Sequence, residues 1–197
     1  MKKSLIICSL CLMLFANEKE TVPKDIALQE AKHAAHKLHT TLSSIVKAKF
    51  RHEGALAAAT FCADESYTKI KELNEELGEN ISIKRVSLFN RNPKSSPQRD
   101  EIDILKAFDL LEESDAYMPN GIVQVADYNT YKVYFPAMMA SKTCKVCHGN
   151  KSNLDPKIQT LFEEKYPSDK AFGFKSGQVR GAVIVTVKIK NEKNKLK

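Results

Sequence analysis

Five consecutive residues, Cys144-Lys145-Val146-Cys147-His148, carry the most specific chemistry in the chain. Two thiols three positions apart, followed at once by an imidazole, suit covalent attachment of haem c. The thiols add to two vinyl groups on one porphyrin edge, and the imidazole then stands beneath the iron. Cys144 and Cys147 are thus the expected attachment residues, and His148 the expected axial ligand. Two other chemistries use similar spacing. A thioredoxin-like dithiol opens a helix after a buried strand in a βαβ setting, which the surrounding pattern lacks. A structural zinc site needs about four N or S ligands, and no second CxxC or HxxxH exists beyond the apolar N-terminal run that holds Cys8 and Cys11.

The opposite face of the iron is a separate question. No Met and no His follows His148, so a sixth ligand supplied by the protein must come from upstream. The candidates are Met118, Met138, Met139, His33, His36, His39, His52 and Cys62. Met138 and Met139 end a strand just before the motif and read as packing against the haem, since methionine fills gaps well. His33, His36 and His39 step by three, but no third ligand at metal spacing accompanies any two of them. His52 falls in a turn and reads as surface. Cys62 follows Ala55, Ala58 and Ala59 at helical spacing, a side of small residues on which a flat macrocycle could rest. The competing reading of Cys62 is a buried, inert thiol.

Compartment bears on this chemistry. Lys2-Lys3 precede the apolar run SLIICSLCLMLFA at 4–16, after which ANEKE turns polar. That pattern predicts a secretory signal peptide at 1–16 and a periplasmic location; an uncleaved anchor facing the periplasm is the alternative. No other stretch is long and apolar enough to span a membrane. Loss of 1–16 removes Cys8 and Cys11 and two lysines from a formal charge of +7, leaving three cysteines and +5. An odd thiol count in an oxidising compartment leaves one cysteine to be explained. The basic excess gathers in KIKNEKNKLK at the C-terminus, with 191–197 expected as a solvated tail. Dispersed basic residues elsewhere argue against nucleic-acid binding.

The elements that must position these residues follow from periodicity. Ala27, Ala31, Ala34, Leu38, Leu42 and Ile45 predict a helix over 24–50. Gly54 breaks the pattern, and a second helix is expected over 55–77, capped by Gly78. ISIKRVSLF at 81–89 reads as a strand, and a helix from about Pro97 to Ser114 follows a loop. GIVQVAD and YKVYFPAMM form a predicted hairpin over 121–139. The motif is expected in a loop, followed by a helical segment around PKIQTLFEEKY and a strong strand, VRGAVIVTVKI, at 179–189. Helices segregated from hairpin-joined strands predict one α+β domain over 17–190 with an antiparallel sheet.

Several stretches together resemble a family of bacterial c-type haem proteins with a PAS-like fold, long known as a domain of unknown function. They are AAATFC (57–62), RVSLFNRNPKSSP (85–97), FPAMMASKTCKVCHG (135–149) and YPSDKAFGFKSGQVRGAVIV (166–185), which span nearly the whole chain after the signal segment. The resemblance implies a central antiparallel sheet cradling the haem, with long N-terminal helices over it. It implies His148 and Cys62 as the two axial ligands. Arg85, Arg91 and Arg180 match basic positions that could meet haem propionates, with structural ion pairs as the alternative. No fused signalling module follows the last strand, so sensory output would need an unidentified redox or signalling protein partner. Thiolate plus imidazole favours ferric iron. The expected function is therefore a redox-responsive, sensor-like module, with a small periplasmic electron-transfer cytochrome as the alternative and an enzyme not expected.

Overall fold

The computed structural model describes residues 23–139 and 142–190. The predicted signal segment, with Cys8 and Cys11, and the predicted tail at 191–197 lie outside the described residues.

The helix α1, Pro23–Glu53, opens on a proline whose missing N–H costs nothing in a first turn. Ala27, Ala31, Ala34, Leu38 and Leu42 form its buried stripe, which leaves His33, His36, His39 and His52 exposed on its outer side. Gly54 adopts φ 93° between α1 and the next helix, a conformation favoured by glycine.

Where periodicity predicts one helix over 55–77, the structure has two: α2, Ala55–Asp64, and α3, Ser66–Leu77. The break at Glu65 has a local cause. The Ser66 hydroxyl donates to the Cys62 carbonyl four residues back, at 2.7 Å, a bond that competes with the helical ladder and bends helices.

Four strands, β1 (Ile81–Val86), β2 (Ile122–Asp127), β3 (Thr130–Met138) and β4 (Val179–Lys188), form an antiparallel sheet in the order β1-β4-β3-β2. One face buries Ile83, Val133, Val185 and Val187 against α1, Phe61 of α2, and Ile70 and Leu73 of α3. The other buries Val86, Tyr134, Ala182 and Ile184 against Leu105 and Phe108 of α4, Arg99–Glu113. This is the expected α+β fold with a long N-terminal helix beside the sheet. Among the described residues no helix is long and apolar enough to cross a membrane.

The strand β4 carries an irregularity that matters below. Ala137 pairs with Gly181 and Met138 with Val179, so Arg180 is skipped as the extra residue of a β-bulge. Gly181 beside it takes φ 146°, and a Cβ there would run into the Val86 carbonyl oxygen. A Gly181→Ala variant is therefore expected to lose about 3 kcal/mol of stability through overpacking and backbone strain, read as a lowered urea midpoint at unchanged slope.

Candidate functional site

The cysteine motif is not in a loop, as expected above, but forms a short helix, α5, Lys142–His148. Helical spacing explains why that arrangement suits the motif. Residues three and four apart share a face, so Cys144, Cys147 and His148 line one side of two turns. Both cysteines are partly buried. Gly149 closes the helix by donating to the Lys145 carbonyl at 2.9 Å.

A strap from Asp169 to Phe174 holds this helix in place. Phe174 N–H donates to the His148 carbonyl at 3.0 Å, and Gly173 N–H to the Gly149 carbonyl at 2.8 Å. The Ala171 carbonyl lies 2.9 Å from His148 Nδ1. A carbonyl only accepts, so Nδ1 carries the proton and Nε2 is the basic nitrogen. Part of the His148 surface remains open, yet burial of its surroundings holds its pKa well below the ordinary value, with Arg180, Arg91 and Arg85 adding repulsion. A neutral imidazole with a free Nε2 and an oriented Nδ1–H is the form that ligates metals.

Arg91 is the centre of the strap. Its Nε donates to Asp169 Oδ2 at 2.5 Å; its Nη2 donates to the Cys147 carbonyl at 2.7 Å and to the Ala171 carbonyl at 3.3 Å. The guanidinium carbon lies 3.4 Å from the Phe162 ring centre and 4.9 Å from that of Phe172. The Arg91 and Asp169 side chains are only 8% and 5% exposed. Arg91 thus bonds the carbonyls of a motif cysteine and of the partner of His148. Its role is positional.

Arg85 and Arg180 differ. Arg85 Nη2 reaches Ser66 Oγ at 3.2 Å, and Arg180 Nη2 lies 3.3 Å from His148 Nδ1. Because Nδ1 already donates to Ala171, the Arg180 contact is proximity rather than a hydrogen bond. The Nε atoms of both are buried and without a partner among the described residues. Burial, with Arg91 and Arg85 nearby, lowers the Arg180 pKa to about 10. The bulge at Arg180 explains its direction: Val179 and Ala182 both face α4, whereas Arg180 points to His148.

Cys62 belongs to the same neighbourhood. Burial raises its pKa, while Arg85, Arg91 and Arg180 oppose the rise. Burial, with Cys62 beside it, pushes Cys147 up to about 11. Five elements therefore converge: Cys62 from α2, Arg85 from β1, Arg91 from the following loop, Cys147 and His148 from α5, and Arg180 from β4.

Ala59, with Ala55 and Ala63 beside it, packs against Ile158 and Phe162 of α6, Pro156–Lys165, in a cluster that also holds Val146 and Cys147. Small side chains let α6 approach closely, and Cys62 packs instead against the core between α2 and the sheet. Of the two methionines, Met139 is 1% exposed and Met138 40%. Met139 is tied by backbone bonds to Gln178 and Gly177. Asp169, Phe162, Phe172, Ala171 and Ser66 were not singled out by type or spacing, because their roles come from contacts far along the chain.

The donor set fits a haem: a neutral histidine protonated on Nδ1, two thiols on the same helix, a third thiol nearby, and two arginines, Arg85 and Arg180, whose buried Nε atoms lack a partner among the described residues. Comparison with known families gives a match to the family described as Tll0287-like over residues 19–188. The chain belongs to the Tll0287-like family. A solved structure of this kind, the cyanobacterial haem protein Tll0287, is 26% identical to the chain, with a TM-score of 0.51. The match covers 64% of this chain and 71% of that one. A comparison with curated proteins found no match. The matched region contains all five converging elements, so the site lies wholly within the family's domain.

Proposed function

We propose that the chain is an exported, periplasmic c-type haem protein. It carries one haem bound covalently by Cys144 and Cys147, with His148 and Cys62 as axial ligands, and acts as a redox-responsive module read by a protein partner. The haem supplies one-electron chemistry. The observation that carries the reading is the convergence of Cys62 with the motif helix and its arginines, more than eighty residues apart in sequence. A family relationship to a haem protein supports the cofactor class.

The residues present a balance that suits a responsive ligand. Burial raises the Cys62 pKa and three arginines oppose the rise, so the thiolate is the form that the arginines favour and the apolar surroundings disfavour. The alternative, a small electron-transfer cytochrome, is favoured by a different observation: the end of α2 is tied down. Ser66 Oγ donates to the Cys62 carbonyl at 2.7 Å and the Tyr166 hydroxyl to the Ala63 carbonyl at 2.7 Å, which would keep the ligand in place.

The test is intact mass after expression with c-type maturation machinery. The protein is expected to gain the mass of one haem, and a Cys144→Ser/Cys147→Ser variant to gain none. A mature wild-type chain without added haem would remove the central premise.

A further inference from the structure

The outer surface of the strap and of the motif helix carries one sign of charge. Within 142–153 and 166–180 the only acidic residue is Asp169, and its side chain is 5% exposed and bonded to Arg91. Lys145, Lys170 and Lys175 of the same segments are exposed. Among the described residues none of these three has a carboxylate at ion-pair distance, whereas neighbouring Lys151 and Lys165 pair with Glu163 and Asp64. An aromatic edge reaches the surface beside them. Phe89, in the turn after β1, is 51% exposed and meets Phe174 of the strap edge-on, with ring centres 6.3 Å apart. The Lys170 N–H donates to the Asn90 carbonyl at 3.2 Å, which sets Lys170 next to that turn. Lys175 directly follows Phe174, and Lys145 lies one helical turn before Gly149, which the strap bonds through Gly173. An exposed ring framed by cations has the anatomy of a protein interface, with an aromatic centre and a charged rim.

We propose that Phe89 and the lysines at 145, 170 and 175 form the docking surface for an acidic protein partner. Its carboxylates meet the lysines, and an apolar group covers the Phe89 ring. The charge changes sign at Phe89: Asp109 of α4 lines a small hollow beside that ring, and Glu112 and Glu113 follow on the same helix. This step favours a protein over an anionic bilayer. A membrane is a broad plane that would bring its negative charge against the α4 carboxylates as well, whereas a protein can present carboxylates on one side of the ring alone. The surface also lies close to the chemistry, since the Phe174 N–H bonds the His148 carbonyl at 3.0 Å. That the partner reads the haem rests on the function proposed above; the docking chemistry does not.

The first arm of the test titrates the purified full chain with poly-L-glutamate and follows backbone amides by NMR. Shifts are expected at 170–176 and at Phe89, and they vanish as added salt screens the charges. A Lys170→Glu/Lys175→Glu variant loses them, and Glu113→Gln, across Phe89, keeps them. Circular dichroism establishes folding, and Lys170→Ala/Lys175→Ala takes over if the reversed charges prevent it. The second arm uses the haem-loaded protein and hexacyanoferrate(III), an anion that takes one electron from ferrous iron and becomes hexacyanoferrate(II). At low salt the double variant is expected to react about tenfold more slowly, within the range of electrostatic steering. With the cationic oxidant tris(phenanthroline)cobalt(III) the same variant reacts faster. If haem attachment fails, only the second arm is lost, so that failure and failure of the docking surface are told apart. Poly-glutamate shifts that are absent, or confined to the basic C-terminus at 188–197, overturn the proposal. So does binding to phosphatidylglycerol vesicles that the double variant abolishes, without a poly-glutamate response, since the surface would then belong to a membrane.

Discussion

A Cys62→Ala variant of the haem-loaded protein is expected to lose the low-spin thiolate signature in its ferric optical and EPR spectra. Its midpoint potential is expected to rise by on the order of tenths of a volt, since axial ligands tune haem potentials over about 0.8 V. An anionic sulfur stabilises the ferric state, and alanine provides no donor at all. The variant's ferrous form should also take up carbon monoxide readily, having an open position. The wild type then divides the two proposed functions. Ready carbon monoxide binding by its ferrous form, with loss of the thiolate signature, supports a ligand that switches. An unchanged six-coordinate ferrous spectrum supports simple electron transfer. A ferric spectrum unaltered by the Cys62→Ala change sinks the assignment of Cys62 as a ligand.

The second large effect concerns stability. Arg91→Gln is expected to cost about 3–5 kcal/mol, the usual result of removing one partner of a buried ion pair. The loss has identifiable parts: Asp169 stays buried and unpaired, and the Cys147 and Ala171 carbonyls lose a donor. The stacking between Phe162 and Phe172 goes as well. Urea unfolding measures the loss. Combining Arg91→Gln with Asp169→Asn should recover part of it, because the second change removes the orphaned charge. If the two losses simply add, the ion pair is not the source. Covalent haem yield should fall in the single variant, since the same bonds hold the motif helix in position.

Much of the fold was legible because it is local. The alanine and leucine stripe of α1 follows the helical period, and the alternation in β1 and β4 follows the strand period. Glycines at 54 and 78 mark real boundaries, each at positive φ. The two failures differ in origin, one local and one tertiary. The break at Glu65 depends on one serine bonding back to Cys62, a choice that periodicity does not register. The motif helix α5 is short, and its stability comes from the strap at Asp169–Phe174 rather than from propensity.

The site divides along the same line. Spacing alone determined that Cys144, Cys147 and His148 can act together, because their chemistry needs positions within two turns of one another. The cysteine count after the predicted signal segment set Cys62 apart from the motif pair. Neither could distinguish Arg85, Arg91 and Arg180, which are equally basic in sequence. Tertiary structure decided among them: Asp169, 78 residues from Arg91, claims one guanidinium, and a single bulged residue in β4 turns another towards His148. The reason is physical. Reactivity of a motif follows from covalent proximity, whereas the partner of a buried charge is set by which distant elements the sheet and its bulge bring within hydrogen-bond reach.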